Sequence, residues 1–321
     1  MAVQTLPKAA VRRRNWSPIP EGKLARREAM WFWFFVAPWA FGYLAFTVGP
    51  LVASGYFSLT RYNISSPPVW IGLKNYADMF GDRIFWKSLQ VTGYYTLLAV
   101  PLGIVGGLAL AMLLNQKVPF MGGFRTIFYL PSLVGGVAVV LMFQFLLNSQ
   151  FGVVNYFLRG IGIANPPRWF QDPNWVMPAI VLMGLWGLGS GMLIYLSALQ
   201  SVPTQLYEAA TIDGAGRTRQ FFNITIPMIS PVILFTFITG VIGAFQVFTQ
   251  AYIISNGTGG PSYSTMFYNM LLYLNAFRRQ RMGLASAQAW VLFLVVLLLT
   301  ILFLWASRRF VYYETDEEGS L

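Results

Sequence analysis

The chain has no cysteine and no histidine among its 321 residues. Their absence removes disulfides, thiol nucleophiles, haem axial histidines and the usual zinc ligand sets. Charge is nearly as scarce: Asp, Glu, Lys and Arg make up 10% and apolar residues 56%, whereas a soluble domain carries roughly 25% charge. Lipid is therefore the solvent for most of this chain. No Gly-x-x-x-x-Gly-Lys-Ser/Thr loop is present, so the chain has no P-loop of its own. The net charge of +11 does not point to nucleic acid, because seven of the cations (Lys8, Arg12, Arg13, Arg14, Lys23, Arg26, Arg27) precede the first apolar run. A basic tail lying against an anionic leaflet accounts for them, and no nucleic-acid partner is expected.

Six apolar stretches are present, at 31–57, 91–114, 126–147, 176–199, 231–254 and 282–306. Each matches the ~20 residues that a hydrocarbon core requires. Backbone groups in lipid must be satisfied within their own segment, so the expectation is an all-α membrane protein of about six transmembrane helices. Pro101, Pro131 and Pro178 mark kinks or first turns. The first stretch is much longer than the ~7–15 residues of a signal-peptide core and no small-residue cleavage site follows it, so it is expected to remain. The domain reading is a basic tail at 1–29, a membrane domain at 30–310 and an acidic tail at 311–321 containing Glu314 and Glu318.

Six spans put both termini on one side. With the N-terminus inside, Lys and Arg number 13 on the cytoplasmic segments and 9 on the outer ones, which predicts both termini cytoplasmic. Arg278, Arg279 and Arg281 run against this bias, and the amphipathic pattern at 268–274 suggests an interfacial helix to carry them. Trp33, Phe57, Tyr94, Trp169, Trp175 and Trp305 suit the interfacial aromatic belts.

None of the six spans contains Asp, Glu, Lys, Arg or His. Ion-coupled carriers usually keep such groups at mid-membrane, so energy must come from passive flow or from an external motor. Gly103 with Gly107, Gly187 with Gly191, and Gly240 with Gly243 and Ala244 have helix-packing spacing. Either they let helices approach closely, or they leave room for a ligand. Uncharged polar groups sit beside them: Gln144, Ser190, Gln246 and Gln250, with Trp186 and Tyr195. The face formed by Trp186, Gly187, Ser190, Gly240, Gly243, Ala244, Gln246 and Gln250 is the expected solute path, because hydroxyl-rich solutes need neutral hydrogen-bonding partners and aromatic surfaces.

The stretch 200–230 is a polar interruption with helical character. Ser201 is expected to cap a helix with Pro203 in its first turn, Leu206, Ala209 and Ala210 as an apolar stripe, and Glu208 and Asp213 as polar positions. Gly214 can take the left-handed conformation that ends a helix. A second helix starting near Thr218 is expected to carry Phe221 and Phe222 and to end before Pro227. Two short helices meeting at a glycine form a compact knob.

The run Glu208-Ala209-Ala210, Asp213-Gly214-Ala215, Phe221 and Ile226-Pro227 resembles the EAA loop of binding-protein-dependent ABC importer permeases. The segments Gly72-Leu73-Lys74-Asn75-Tyr76, Phe124 to Pro131 and Gly259-Gly260-Pro261 are similar to the carbohydrate-uptake branch, of maltose and glycerol-phosphate type. The resemblance covers about 30–310, departing only at the long basic tail and the Asn256–Pro261 turn. It implies the type I ABC importer permease fold in a bacterial or archaeal plasma (inner) membrane. It also implies four kinds of partner: a second homologous permease, two ABC ATPases that bind ATP and Mg, an extracytoplasmic sugar-binding protein, and membrane lipid. The permease itself would carry no cofactor and no catalytic residue. Glu208, Ala209, Ala210, Asp213, Gly214, Phe221, Phe222 and Pro227 would form the ATPase-coupling element, with the two phenylalanines anchoring it. The alternatives are a secondary carrier or channel, disfavoured by the uncharged spans, and a membrane enzyme, for which Asp78, Asp82 and Asp172 form no recognisable catalytic pair.

Overall fold

The structure is a computed structural model that describes residues 22–116 and 118–308. Lys8, Arg12, Arg13 and Arg14, together with the acidic tail, lie outside the described residues. The chain divides into two units, one up to Ser54 and one from Gly55 onward.

The first unit is helical. α1 (Lys23–Tyr43) passes through a π-turn at Leu44–Val48 into α2 (Gly49–Ser58). Pro50 has no N–H to complete the ladder, and a π-turn just before it is the usual adjustment. Trp31, Phe32, Trp33, Phe34, Phe35, Trp39 and Phe41 are all exposed on α1, and none of its described residues is buried. An apolar helix with no buried face is one solvated by lipid.

The second unit opens with an antiparallel hairpin that the sequence reading did not anticipate. β1 (Thr60–Asn63) pairs with β2 (Ser66–Trp70) in the register Thr60↔Trp70, Arg61↔Val69 and Asn63↔Ser66. The pattern is too short and too proline-rich, with Pro67 and Pro68, to read as strand. The helices α3 (Lys74–Gly81) and α4 (Arg83–Leu114) follow, and the Asp82 carboxylate accepts from the Ile84 N–H at 2.8 Å. Asn75 is buried and donates to the carbonyls of Ser58 and Thr60, both at 2.8 Å, which locks α3 to the hairpin.

The third expected span is not one straight helix. α5 (Met121–Tyr129) and a 3₁₀ turn at Leu130–Leu133 meet α6 (Gly136–Leu146) at 95°. Pro131 withdraws an N–H, and Val134 and Gly135 are extended, so the ladder stops there. After α7 (Val153–Gly160), the fourth span is also broken: α8 (Val176–Leu185) and α9 (Leu188–Ser201) meet at 49° around Trp186 and Gly187. Among the described residues, four helices are long and apolar enough to cross a membrane, and up to six spans result when each bent pair counts as one.

The remaining helices are α10 (Thr204–Ile212), α11 (Arg217–Gln220), α12 (Ile226–Phe245), α13 (Thr249–Ser255), α14 (Tyr268–Tyr273) and α15 (Met282–Ser307). α4 is the central post and packs most extensively on α9 and α12. One core lies around Phe85, Tyr95, Phe245, Phe267 and Tyr268. A second lies towards the other end of α4, where Leu108, Ala111 and Leu114 meet Met192, Leu196 and Ile229. At that end the Arg125 guanidinium donates to the Leu114 carbonyl at 3.0 and 3.2 Å, satisfying the terminus of α4.

α14 is packed into the protein rather than exposed along one apolar face. Tyr268, Met270 and Leu271 are buried, and the Tyr268 N–H donates to Thr92 Oγ1 at 2.9 Å. Burial raises the Tyr268 phenol above its ordinary pKa, which keeps the proton that it donates to the Gln288 carbonyl at 2.8 Å. The pattern read as amphipathic because α14 packs between α4 and α15, where Tyr268 finds its polar partners.

Gly189 shows how close the helices come. A Cβ there would collide with the Phe128 carbonyl oxygen and lie 2.8 Å from Tyr129 Cα, whereas Gly191 faces open space. Gly189→Ala is therefore expected to cost about 1–3 kcal/mol by overpacking against backbone. Thermal unfolding in detergent should show a clear drop for Gly189→Ala and almost none for Gly191→Ala. Equal behaviour of the two variants would refute this packing.

Candidate functional site

Two places hold the residues singled out from the sequence. The first is the 200–230 segment. Ser201 is the last residue of α9 and bonds back to the Ala198 carbonyl, so it does not cap the next helix, which starts after Pro203. α10 ends in a Schellman motif: the Gly214 N–H donates to the Thr211 carbonyl at 3.1 Å and the Ala215 N–H to the Ala210 carbonyl at 2.8 Å. Gly214 holds φ +76°, a conformation that a side chain would strain.

Beyond Gly216 the chain re-enters a helix at Arg217 and does not stop before Pro227. α11 continues through a π-turn at Phe221–Thr225 directly into α12, and that π-turn just before Pro227 accommodates the N–H that proline lacks. The knob is therefore the covalent head of a long helix reaching into the membrane domain. Gln220 donates to Thr211 Oγ1 at 3.0 Å and to the Ala215 carbonyl at 3.1 Å, and Tyr207 and Thr225 share a hydrogen bond at 2.9 Å. These bonds tie α10 to α11 and to the base of α12.

The two phenylalanines have different roles. Phe221 packs with Tyr207 and Ile224 onto the Leu196, Leu199 and Ile229 cluster, whereas Phe222 is 61% exposed and touches Phe221 edge-on. Phe222 does not anchor the knob, because residues one position apart on a helix point about 100° apart. Glu208 and Ile212, four residues apart, form one exposed face, with Ile212 87% exposed. Ile212, Tyr207 and Gln220 were missed in the sequence. An isoleucine in an otherwise polar loop was the signal for the first of them.

The second place is a cavity of about 440 Å³ between α4, α8, α9 and α12, within the roughly 300–1,000 Å³ typical of ligand sites. Gly187, Ser190, Gly240, Gly243 and Ala244 line it, together with Tyr95, Tyr195, Thr236 and Thr239. No lining residue is charged. Its polar groups include Ser190 Oγ, Thr239 Oγ1 and the Tyr195–Thr236 hydroxyl pair, which are 2.5 Å apart. A neighbouring cavity of about 290 Å³ shares Gly184, Gly187 and Ser190 and adds Trp186 and Gln250. Both cavities open at the break between α8 and α9, so the bend creates the space.

The glycines divide between the two roles. Gly107 and Gly240 serve contact: a Cβ would come within 3.2 Å of Tyr195 and of Val100 respectively. Gly103, Gly191 and Gly243 face open space. Gln246 lines neither cavity. It ends α12, is exposed, and accepts from Asn269 through its carbonyl at 3.1 Å. Gln144 lies in a separate recess with Arg168 and Gln171. Thr236 and Thr239 were missed because threonines in an apolar span usually satisfy themselves on the preceding turn, as these also do.

Residues 99–311 match the family model described as binding-protein-dependent transport system inner membrane component. The chain is 41% identical over 295 residues, 91% of its own length and 95% of the relative's, to the probable ABC transporter permease protein YesP of Bacillus subtilis. It is 36% identical to the lactose transport system permease protein LacF of Rhizobium radiobacter, covering 86% of this chain and 94% of that one. Its fold is similar to a chain of a solved bacterial alginate ABC transporter in complex with a pentasaccharide-bound periplasmic protein, at TM-score 0.77, 22% identity, and coverage of 88% and 96%. A two-helix knob whose second helix runs into the membrane domain, broken helices within that domain, and relatives matched over nearly their whole length agree with one another. The chain belongs to the binding-protein-dependent transport system inner membrane component family, the membrane-spanning permease subunits of ABC importers.

Proposed function

We propose that this chain, paired with a second permease, forms the path of a sugar or oligosaccharide into the cell. The sugar is handed over by an extracytoplasmic binding protein. The work comes from two ATPase subunits, which bind ATP and Mg and press on the knob at 200–230. The observation that carries this reading is that α10 is hydrogen-bonded to α11 and to the base of α12, and α11 runs unbroken into α12: a push on Glu208 and Ile212 passes through those bonds and along α12 to the cavity wall at Thr236, Thr239 and Gly243. An uncharged cavity lined by hydroxyls and a nearby tryptophan suits a neutral, hydroxyl-rich solute. The relatives named for lactose, maltose and starch products support the sugar class. The chain resides in the plasma (inner) membrane of a bacterium or archaeon, with both termini and the knob in the cytoplasm. The tails at 1–29 and 311–321 are cytoplasmic extensions of the domain at 30–310.

The test is uptake by the complex purified from its own membrane and reconstituted with its binding protein. Accumulation should require ATP and stop with vanadate, and uptake that continues without ATP would return the chain to the carriers. Topology supplies a second expected result. Reporters inserted in 200–230 should read cytoplasm, and those in 60–89 or 148–175 the outer side. An outer signal from 200–230 would overturn both the orientation and the coupling role.

A further inference from the structure

Of the features that the transport path leaves unused, the strongest is a basic cavity at the membrane boundary. It has a volume of about 510 Å³ and lies between the hairpin, α3 and the start of α15, at the opposite end of α4 from the knob. Arg61, Lys74, Arg279 and Arg281 line it against a single carboxylate, Asp78. In the orientation proposed above, on which this point rests, these cations lie on the side where the positive-inside bias depletes Lys and Arg, so membrane topology does not account for them. Among the described residues, Arg61, Lys74 and Arg281 make no side-chain hydrogen bond or ion pair, while Arg279 is held by Asn275 Oδ1 at 2.9 Å. The turn that presents Arg279 and Arg281 is fixed, since their N–H groups donate to the carbonyls of Leu274 and Asn275, both at 2.8 Å. Gln280 between them holds φ +53°, a conformation unusual for glutamine.

The backbone adds to this charge. α3 and α15 both begin at this cavity, neither has a side-chain cap, and neither has an acidic residue in its first turn. Both helix dipoles therefore set their positive ends beside the space that the arginines line. Four cations against one carboxylate is a charge excess that water alone satisfies poorly in a recess, and a tetrahedral oxyanion is the group that such an arrangement fits.

We propose that this cavity binds a phosphate group, either the headgroup of an anionic phospholipid or a soluble phosphate. The cavity's position at the start of α15 favours the lipid. It sits where α15 enters the bilayer at Met282, and residues further along that helix, such as Phe293 and Leu297, keep exposed apolar surface against which an acyl chain can lie.

The test uses the full-length chain in nanodiscs of phosphatidylcholine with and without phosphatidylglycerol. Native mass spectrometry reads the phosphatidylglycerol retained after detergent extraction, and a parallel thermal-shift series in detergent adds inorganic phosphate. Wild type should retain phosphatidylglycerol selectively, and Arg61→Gln with Arg281→Gln should weaken retention about tenfold or more. Arg159→Gln, outside the cavity, should not. Asp78→Asn should strengthen retention, a gain that misfolding cannot produce. Stabilisation by inorganic phosphate without lipid retention, lost in the double variant, assigns the site to soluble phosphate. If neither lipid retention nor the phosphate shift depends on Arg61 and Arg281, the proposal is wrong. That holds even if the double variant weakens docking of an acidic protein partner.

Discussion

Uptake should fall to background in Gly214→Pro and in Glu208→Lys, for two different reasons. Proline cannot adopt the φ of +76° seen at Gly214, and it removes the N–H that donates to the Thr211 carbonyl. A misplaced proline costs about 3 kcal/mol, enough to lower the population of the intact knob roughly a hundredfold at about 1.4 kcal/mol per decade. Glu208 is exposed and makes no side-chain hydrogen bond among the described residues, so its reversal leaves the fold intact and changes only what the knob presents. Both variants should insert and unfold at close to the wild-type temperature in the membrane domain, and the partner ATPase should still hydrolyse ATP when isolated. The measurement is binding-protein-dependent uptake alongside the amount of ATPase that co-purifies. Wild-type uptake in both variants would remove the knob from the coupling mechanism.

The second large effect concerns the cavity. Gly243→Phe fills the space seen beside Gly243 and meets no atom at its Cβ, so the chain should fold and sugar passage should stop. ATP hydrolysis stimulated by the binding protein should persist, since the knob is untouched. Gly240→Phe is the contrast, because a Cβ there already lies 3.2 Å from Val100, so this variant should lower the unfolding temperature and both activities together. Smaller changes grade the effect. Thr239→Val or Ser190→Ala should weaken transport about tenfold, as a buried hydroxyl of the sugar loses a partner worth about 1–3 kcal/mol. Gln246→Leu should change little, since Gln246 lies outside both cavities. Full transport by Gly243→Phe would mean that the sugar passes elsewhere.

The amino-acid sequence determined the membrane setting, the number of apolar stretches, the position of the knob and the ending of its first helix at Gly214. Each of these depends on interactions local in the chain: a run of about 20 apolar residues, an absence of charge, and a glycine free to take positive φ after Ala210 and Asp213. The sequence marked Pro131 as a kink or first-turn position but did not show the size of that bend or the break at Trp186 and Gly187. The stretch 126–147 is as apolar as its neighbours, yet Pro131 and Gly135 turn it through 95° once α6 packs with α8 and α13. Nor could it divide the glycines. Gly240 and Gly243 look alike on paper, but one meets Val100 on α4 and the other meets open space, a difference set by the partner helix. The opposite fates of Phe221 and Phe222, the burial of α14 and the gathering of Arg61 with Arg281 across 220 residues of chain were likewise decided in three dimensions. Local propensity and hydropathy act over one or two turns of helix. Cavities, anchors and charge clusters belong to pairs of elements, and only packing brings those elements together.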